Sequence, residues 1–405
     1  VNDGMGLFKK PSKSSKFKYN DDNHHESLKK LFLNSRNSKV KIIEPKTITD
    51  DALWEFIKLQ KNLTQEKVKE LAKYHKIAMS IETKLGKLQY TNLYAELQDI
   101  RYFENNSIDN VDQIGFAKKY MSTHYLDFNI NKKIQLSFFE SVIWRSNHAP
   151  GENGFDIQYL NPIIFLRPVE YSINSPDNML LGLNLRYSIF SSSYAYSQLL
   201  LDEFVLDEYR NDKNFWGNKF GYQFGYKHYD FLTKNLTTQF EYNFVRPYTY
   251  AHQNPAQNYG HYNQPLAHPV GANFSEIILL NNFSFNRFLF KTKFVFIKYG
   301  GKISNDPTSY GNDIYMSTGN FAEINQVSNI GSGRPSDYNI KIYQGNLTKI
   351  NYQSFSVSYL LSKKTNLKCT IEIINRLFKN ENEEVNSQIF NFGIKTDLFN
   401  NYYDY

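Results

Sequence analysis

From about residue 77 onward, apolar and polar side chains exchange places over runs of 8 to 12 positions. That is the period of a strand with one greasy and one wet face. Phe390, Phe392, Ile394 and Leu398 alternate with Asn391, Gly393, Lys395 and Asp397. Phe355, Val357, Tyr359 and Leu361 alternate with Ser354, Ser356 and Ser358, and Phe240, Tyr242 and Phe244 with Gln239, Glu241 and Asn243. Gly221, Gln223, Gly225 and Lys227 form a small polar row opposite Tyr222, Phe224, Tyr226 and His228. Glycine there leaves room for something beside the strand. No stretch approaches the roughly 18 apolar residues of a membrane helix.

The connections carry further information because they alternate between tight and long. Tight turns are predicted near Gly86 and Lys87, and at 131–133, 190–193, 233–235, 286–288 and 362–366. Long connections are predicted at about 103–122, 145–178, 205–217, 249–273, 302–347 and 379–386. Short turns on one side and long loops on the other is the pattern of an all-β, antiparallel transmembrane β-barrel of the bacterial outer membrane, with the long loops extracellular. About thirteen strands follow residue 77, whereas single-chain bacterial barrels close with an even number. The parity places the C-terminal Tyr405 on the periplasmic side and predicts at least one further strand upstream.

Residues 1–76 do not continue the alternation. Glu26–Phe32 and Asp50–Tyr74 read as amphipathic helices, with Thr64 as an N-cap. The segment is expected to be a basic arm, insertion or plug, distinct from the barrel of residues 77–405.

Composition supports the membrane reading. Aromatic residues make up 16% of the 405-residue chain, yet mean hydropathy is −0.56. An apolar outer face, a polar interior and aromatic girdles together yield that mixture. The net charge of +7 is modest for the length. Its clusters at Lys9–Lys18 and Lys39–Lys46 read as solvated surface, and no nucleic-acid partner is expected. One cysteine, Cys369, excludes an internal disulfide and any cysteine-based zinc site.

The loops hold the groups with chemical potential. Residues 246–274 gather Tyr248, His252, Tyr259, His261, Tyr262, Asn263 and His268. The histidines are nine and seven residues apart, which fits no common zinc signature. Aromatic rings beside amides suit a carbohydrate, with its apolar faces and rows of hydroxyls. These seven residues are the candidate contacts to glycan or to a partner protein. Glu152, Asp156, Arg167, Glu170 and Asp177 include carboxylates that a glycosidase would need in pairs, but they are equally the residues of a turn-rich loop. Asp202, Glu203, Asp207 and Glu208 could together bind Ca²⁺, but such a run is more often a solvated loop edge. No GxSxG, phosphate loop or HExxH occurs. No catalysis, metal or cofactor is expected.

Several strings have a familiar look. KKYMSTHYL (Lys118–Leu126), FFESVIW (Phe138–Trp144), the run Gly154–Tyr187, QLLLDEF (Gln198–Phe204), WGNKFG (Trp216–Gly221) and the run Glu241–Glu276 resemble the gliding-motility outer-membrane protein RemB family, itself similar to Wzi-type capsule assembly proteins. The resemblance spans about residues 77–405. It implies an outer-membrane barrel of Bacteroidota serving gliding motility or surface polysaccharide, with polysaccharide, outer-membrane lipid and motility or secretion proteins as partners. It also implies a further N-terminal region of strands. A transport channel for sugars or peptides, built on the polar Gly221–Lys227 row, is the alternative expectation.

Overall fold

In a computed structural model, residues 38–43, 78–99, 117–145, 157–160, 177–211, 213–320 and 333–396 are described. The predicted N-terminal helices, the acidic residues Glu152 to Glu170 and the terminal Tyr405 lie outside them.

The strands are β1 (Ser38–Ile43), β2 (Ala78–Leu85), β3 (Leu88–Asp99), β4 (Ala117–Asn129), β5 (Ile134–Arg145), β6 (Asn178–Phe190), β7 (Ser193–Glu203), β8 (Lys219–His228) and β9 (Leu236–Val245). A short hairpin follows, β10 (Gly260–His261) and β11 (Gln264–Pro265). Then come β12 (Phe274–Phe285), β13 (Phe288–Gly301), β14 (Asn346–Ser362), β15 (Leu367–Lys379) and β16 (Glu384–Thr396). Apart from β10 and β11, these strands form one 14-stranded sheet in sequence order. Consecutive pairs such as β2 with β3 and β14 with β15 run antiparallel. Among the described residues, the thirteen sheet strands after residue 77 match the number expected from the alternation. A further one, β1, pairs with β2 from Ser38↔Thr83 to Ile43↔Ala78. It lies inside the segment that reads as non-barrel, because Val40, Ile42 and Ile43 are too short a run to stand out among lysines.

The turns follow from local chemistry. Gly86, at φ 62°, turns β2 into β3. Asn286, at φ 53°, joins β12 to β13 in a two-residue connection, where asparagine tolerates the left-handed region. Three connections differ from expectation, the first because β4 already begins at Ala117, inside the long connection expected over 103–122. The loop expected over 379–386 shrinks to four residues, because Asn380 Oδ1 accepts from the backbone N–H groups of Asn382 and Glu383 and closes the turn. Between β8 and β9 the chain uses seven residues rather than a tight turn, held by Asp230 Oδ1 accepting from Asn235 N.

The chain divides into two compact units. The first takes residues 1–130, 137–181 and 256–266, and the second takes 131–136, 182–255 and 267–405. In the first unit, Val142, Trp144, Tyr159 and Met179 form one buried cluster and Leu97, Met121 and Ile143 another. Trp144 and Tyr159 have ring centroids 4.5 Å apart.

In the second unit the usual polarity of a sheet is inverted. Ser354, Ser356 and Ser358 on β14 are buried, while Phe355, Val357, Tyr359 and Leu361 between them are exposed. On β15, Ile371 and Ile373 are exposed while Thr370 and Glu372 are half-buried, and on the last strand of the sheet, β16, both faces are exposed, with Phe390, Phe392 and Ile394 at 67–68%. A water-soluble sheet buries its apolar row, because each exposed apolar side chain forfeits about 1.5–3 kcal/mol of transfer energy. Contiguous exposed rows of Phe, Ile, Val and Tyr are stable where the surroundings are themselves apolar.

Candidate functional site

The second unit's polar face carries a continuous hydrogen-bonded chain across β7, β8, β9 and β12. The phenol of Tyr196 donates to Glu241 Oε2 at 2.5 Å and accepts from Gln239 Nε2 at 2.9 Å. Gln223 Nε2 donates to Glu241 Oε1 at 3.1 Å and to Asn243 Oδ1 at 3.0 Å. Asn243 Nδ2 in turn reaches Glu241 Oε1 at 3.0 Å and Glu276 Oε2 at 2.9 Å. His268 closes the chain, its Nε2 lying 3.1 Å from Glu276 Oε2 and its Nδ1 accepting from Val270 N. The pleat produces this row, since Gln239, Glu241 and Asn243 occupy alternate positions of β9 and share one face.

Gly225 makes part of it. In register it faces Tyr196, and a Cβ there would lie 2.0 Å from the Tyr196 ring. The missing side chain lets the phenol lie across the strand and reach Glu241. Two carboxylates, three amides, a phenol and an imidazole can exchange hydrogen bonds with a polar solute, and the carboxylates attract cations. Of this set, Gln223, Gly225 and His268 are legible as notable in the sequence. Gln239, Glu241 and Asn243 appear there only as the wet face of a strand, and Tyr196 and Glu276 are not singled out. Comparing polar rows on neighbouring predicted strands is the signal that would find them.

The seven candidate residues of the 246–274 loop fall in different units. In the first unit, Leu266 N donates to Tyr259 O and Tyr262 N donates to Gln98 O on β3, both across residues of the same unit. His261 is buried and its Nδ1 accepts from Gln98 N at 2.9 Å. Burial raises the phenol pKa of Tyr259. Beside it, the buried Lys119 ammonium donates to Asn258 O at 2.7 Å and Asn258 Oδ1 at 2.6 Å. Asp177 Oδ1 accepts from Gln257 Nε2 and its Oδ2 from Tyr159 OH. Tyr262 and Asn263 form the tip of the β10–β11 hairpin at φ 47° and 58°, and Asn263 is exposed. Two successive left-handed residues make a type I′ turn, which Asn favours and Tyr resists.

In the second unit, Tyr248 is buried, at φ 67°. Its phenol donates to Ser309 O at 2.8 Å and accepts from Gln344 Nε2. Burial raises its pKa. Nδ1 of His252 accepts from Asn254 N, and burial and then the Lys219 ammonium lower its pKa to about 4. That lysine, fully buried, sits 2.9 Å from Asp202 Oδ1 and 3.1 Å from Glu203 Oε1. Asp202 and Glu203, two members of the edge expected to be solvated, are thus ion-pair partners of the buried Lys219, and Asp202 is itself buried, while Asp207 and Glu208 stand on the short helix α1 (Leu206–Arg210). Among the described residues no group of three or more His, Cys, Asp or Glu is placed to hold a metal.

No family model and no curated protein matches this chain. Among solved structures it is similar to Pseudomonas aeruginosa OprD, at 10% identity and a TM-score of 0.37, over 79% of this chain and 70% of that one. It is also similar to the outer membrane channel DcaP of Acinetobacter baumannii, at 10% identity and a TM-score of 0.33, over 78% and 83%. The fold class itself stands on this chain's own strands. A sequential antiparallel sheet whose polar row is buried and whose apolar row is exposed is that of an outer-membrane β-barrel protein, and the outer membrane is its location.

Proposed function

We propose that this protein is an outer-membrane channel for small polar solutes, with the Tyr196–Glu241–Asn243–Glu276 chain as part of the wall along which they pass. The observation that carries the reading is that chain. It concentrates hydrogen-bonding groups, two of them acidic, on the face opposite the apolar rows. A wall of this kind replaces a solute's water contacts without a hydrophobic barrier, and its carboxylates favour cations and positively charged solutes. Purified protein in planar bilayers is expected to conduct, with cations preferred over anions. The double variant Glu241→Gln, Glu276→Gln is expected to lower that preference roughly two- to threefold. Folded protein that inserts and conducts nothing would overturn the channel.

A second reading, in which the protein holds surface polysaccharide or a motility partner, is favoured by one specific feature. The Tyr262–Asn263 hairpin tip holds a tyrosine in a left-handed conformation, and such strain is retained where something over-determines it. Binding of purified surface glycan that is lost in Tyr262→Gly, Asn263→Ala, with conductance unchanged, would support it. Equal binding by wild type and variant would remove the tip from that role.

A further inference from the structure

A cleft of about 470 Å³ opens in the second unit, away from the polar chain. Phe220, Phe244 and Arg246 line it, and Glu208 and Tyr209 of α1 contribute as well. Its position on the sheet is fixed by the pleat. On β9, Phe240, Tyr242 and Phe244 belong to the apolar row, and Arg246 continues it, because Arg246 N still pairs with Phe220 O after the strand ends. The cleft therefore stands at the loop end of the apolar face.

An aromatic patch surrounds it. Phe204, Tyr209 and Phe220 meet at centroid distances of 5.3 to 6.4 Å, and Phe244 stacks on Tyr222 at 4.8 Å. Tyr209 and its neighbours Phe204, Val205 and Leu206 are exposed. An exposed aromatic cluster at the edge of an apolar face marks the level of lipid headgroups.

The cation at this level is under-used. Arg246 has five N–H donors. Among the described residues its Nη2 makes only long contacts to two carbonyls, Phe215 O at 3.4 Å and Ile340 O at 3.5 Å, and its Nε is buried without a partner. No carboxylate pairs with it among the described residues. The guanidinium lies over the Phe220 ring at 5.6 Å. Near it, Arg210 pairs with Asp207, Arg334 pairs with Asp337, and the Lys213 ammonium lies over the Tyr338 ring. Among the described residues Glu208 accepts only from the Tyr338 phenol, at 3.3 Å. The cleft thus offers one positive and one negative group over an aromatic floor, which is the complement of a zwitterion.

We infer that this cleft seats the phosphoethanolamine headgroup of a membrane lipid, with the phosphate on Arg246, the ammonium on Glu208 and the acyl chains on the apolar row below. The inference rests on the membrane location assigned above. A phosphate takes charge-assisted hydrogen bonds that the two carbonyls supply poorly, and an ammonium is held by a carboxylate beside aromatic faces.

The test is native mass spectrometry of the detergent-purified protein mixed with equal amounts of phosphatidylethanolamine, phosphatidylglycerol and phosphatidylcholine of identical chains. Wild type is expected to retain phosphatidylethanolamine about tenfold over the other two. Arg246→Gln should abolish the preference and Arg246→Lys restore part of it, while Glu208→Gln, on the exposed helix, should shift retention toward phosphatidylglycerol. Heat-shifted mobility on gels checks that each variant is folded. Equal retention of the three lipids by wild type would overturn the site. Displacement of the lipid by an equal concentration of free phosphoethanolamine would also overturn it, in favour of a soluble ligand. A protein that stays dissolved without detergent would instead sink the membrane location itself.

Discussion

Gly225 and Tyr196 act as one unit, because the ring occupies the space a Cβ would need. Gly225→Ala is expected to destabilise the protein by about 1–3 kcal/mol through overpacking, read as a lowered urea midpoint in detergent. Tyr196→Ala should cancel much of that cost, making the pair strongly non-additive. Asn273, at φ 56°, ties three chain segments together: its Nδ2 shares its two N–H groups among the carbonyls of Gly300, Tyr310 and Gln344, and its Oδ1 accepts from Tyr343 N. Asn273→Ala should cost about 1–3 kcal/mol by leaving the buried Gly300 carbonyl and the Tyr343 N–H without this partner, measured the same way. His252 sets a pH dependence. Its folded pKa, about 4, lies below the ordinary value near 6.5, so the unfolded chain takes up the proton first. Its contribution to stability is full above about pH 6.5, falls through the window to about 4, and is lost below that. Unfolding midpoints followed from pH 7.5 to 4 should show a shallower decline in His252→Gln than in wild type.

At the scale of elements, the exposed apolar rows give a direct test of what surrounds them. Val357 faces outward between Ser356 and Ser358 on β14. In a lipid bilayer Val357→Arg should cost about 2–4 kcal/mol if the position lies near mid-membrane, whereas at a water-exposed strand position it would cost almost nothing. Unfolding titrations in vesicles separate the two, and a negligible change would count against a lipid-facing row. The strands themselves were legible in the sequence wherever the alternation was long, as in Ser354–Leu361. Less legible were β1, whose run is too short, and the Asn380–Glu383 turn, which depends on one side chain closing on its own backbone. The path of the long loops was illegible, since Tyr248 and His261 are buried by partners nearly 100 or more positions away along the chain.

At the scale of the whole molecule, the chain is expected to remain in the membrane fraction through a carbonate wash, because its exposed Phe, Ile and Tyr rows would otherwise meet water. Release into the soluble fraction would contradict the location. The sequence by itself determined the class: a period of two, tight and long connections in turn, and no apolar run long enough for a membrane helix. These are local properties that each segment carries alone. It also marked Gly225 and the aromatic loop, without saying what either meets. Only the tertiary structure decided which polar residues share a wall, which loop tyrosines are buried and that Arg246 and Glu208 share one cleft. Those facts depend on register and on contacts far apart in the chain, and no single segment encodes the partner it will meet.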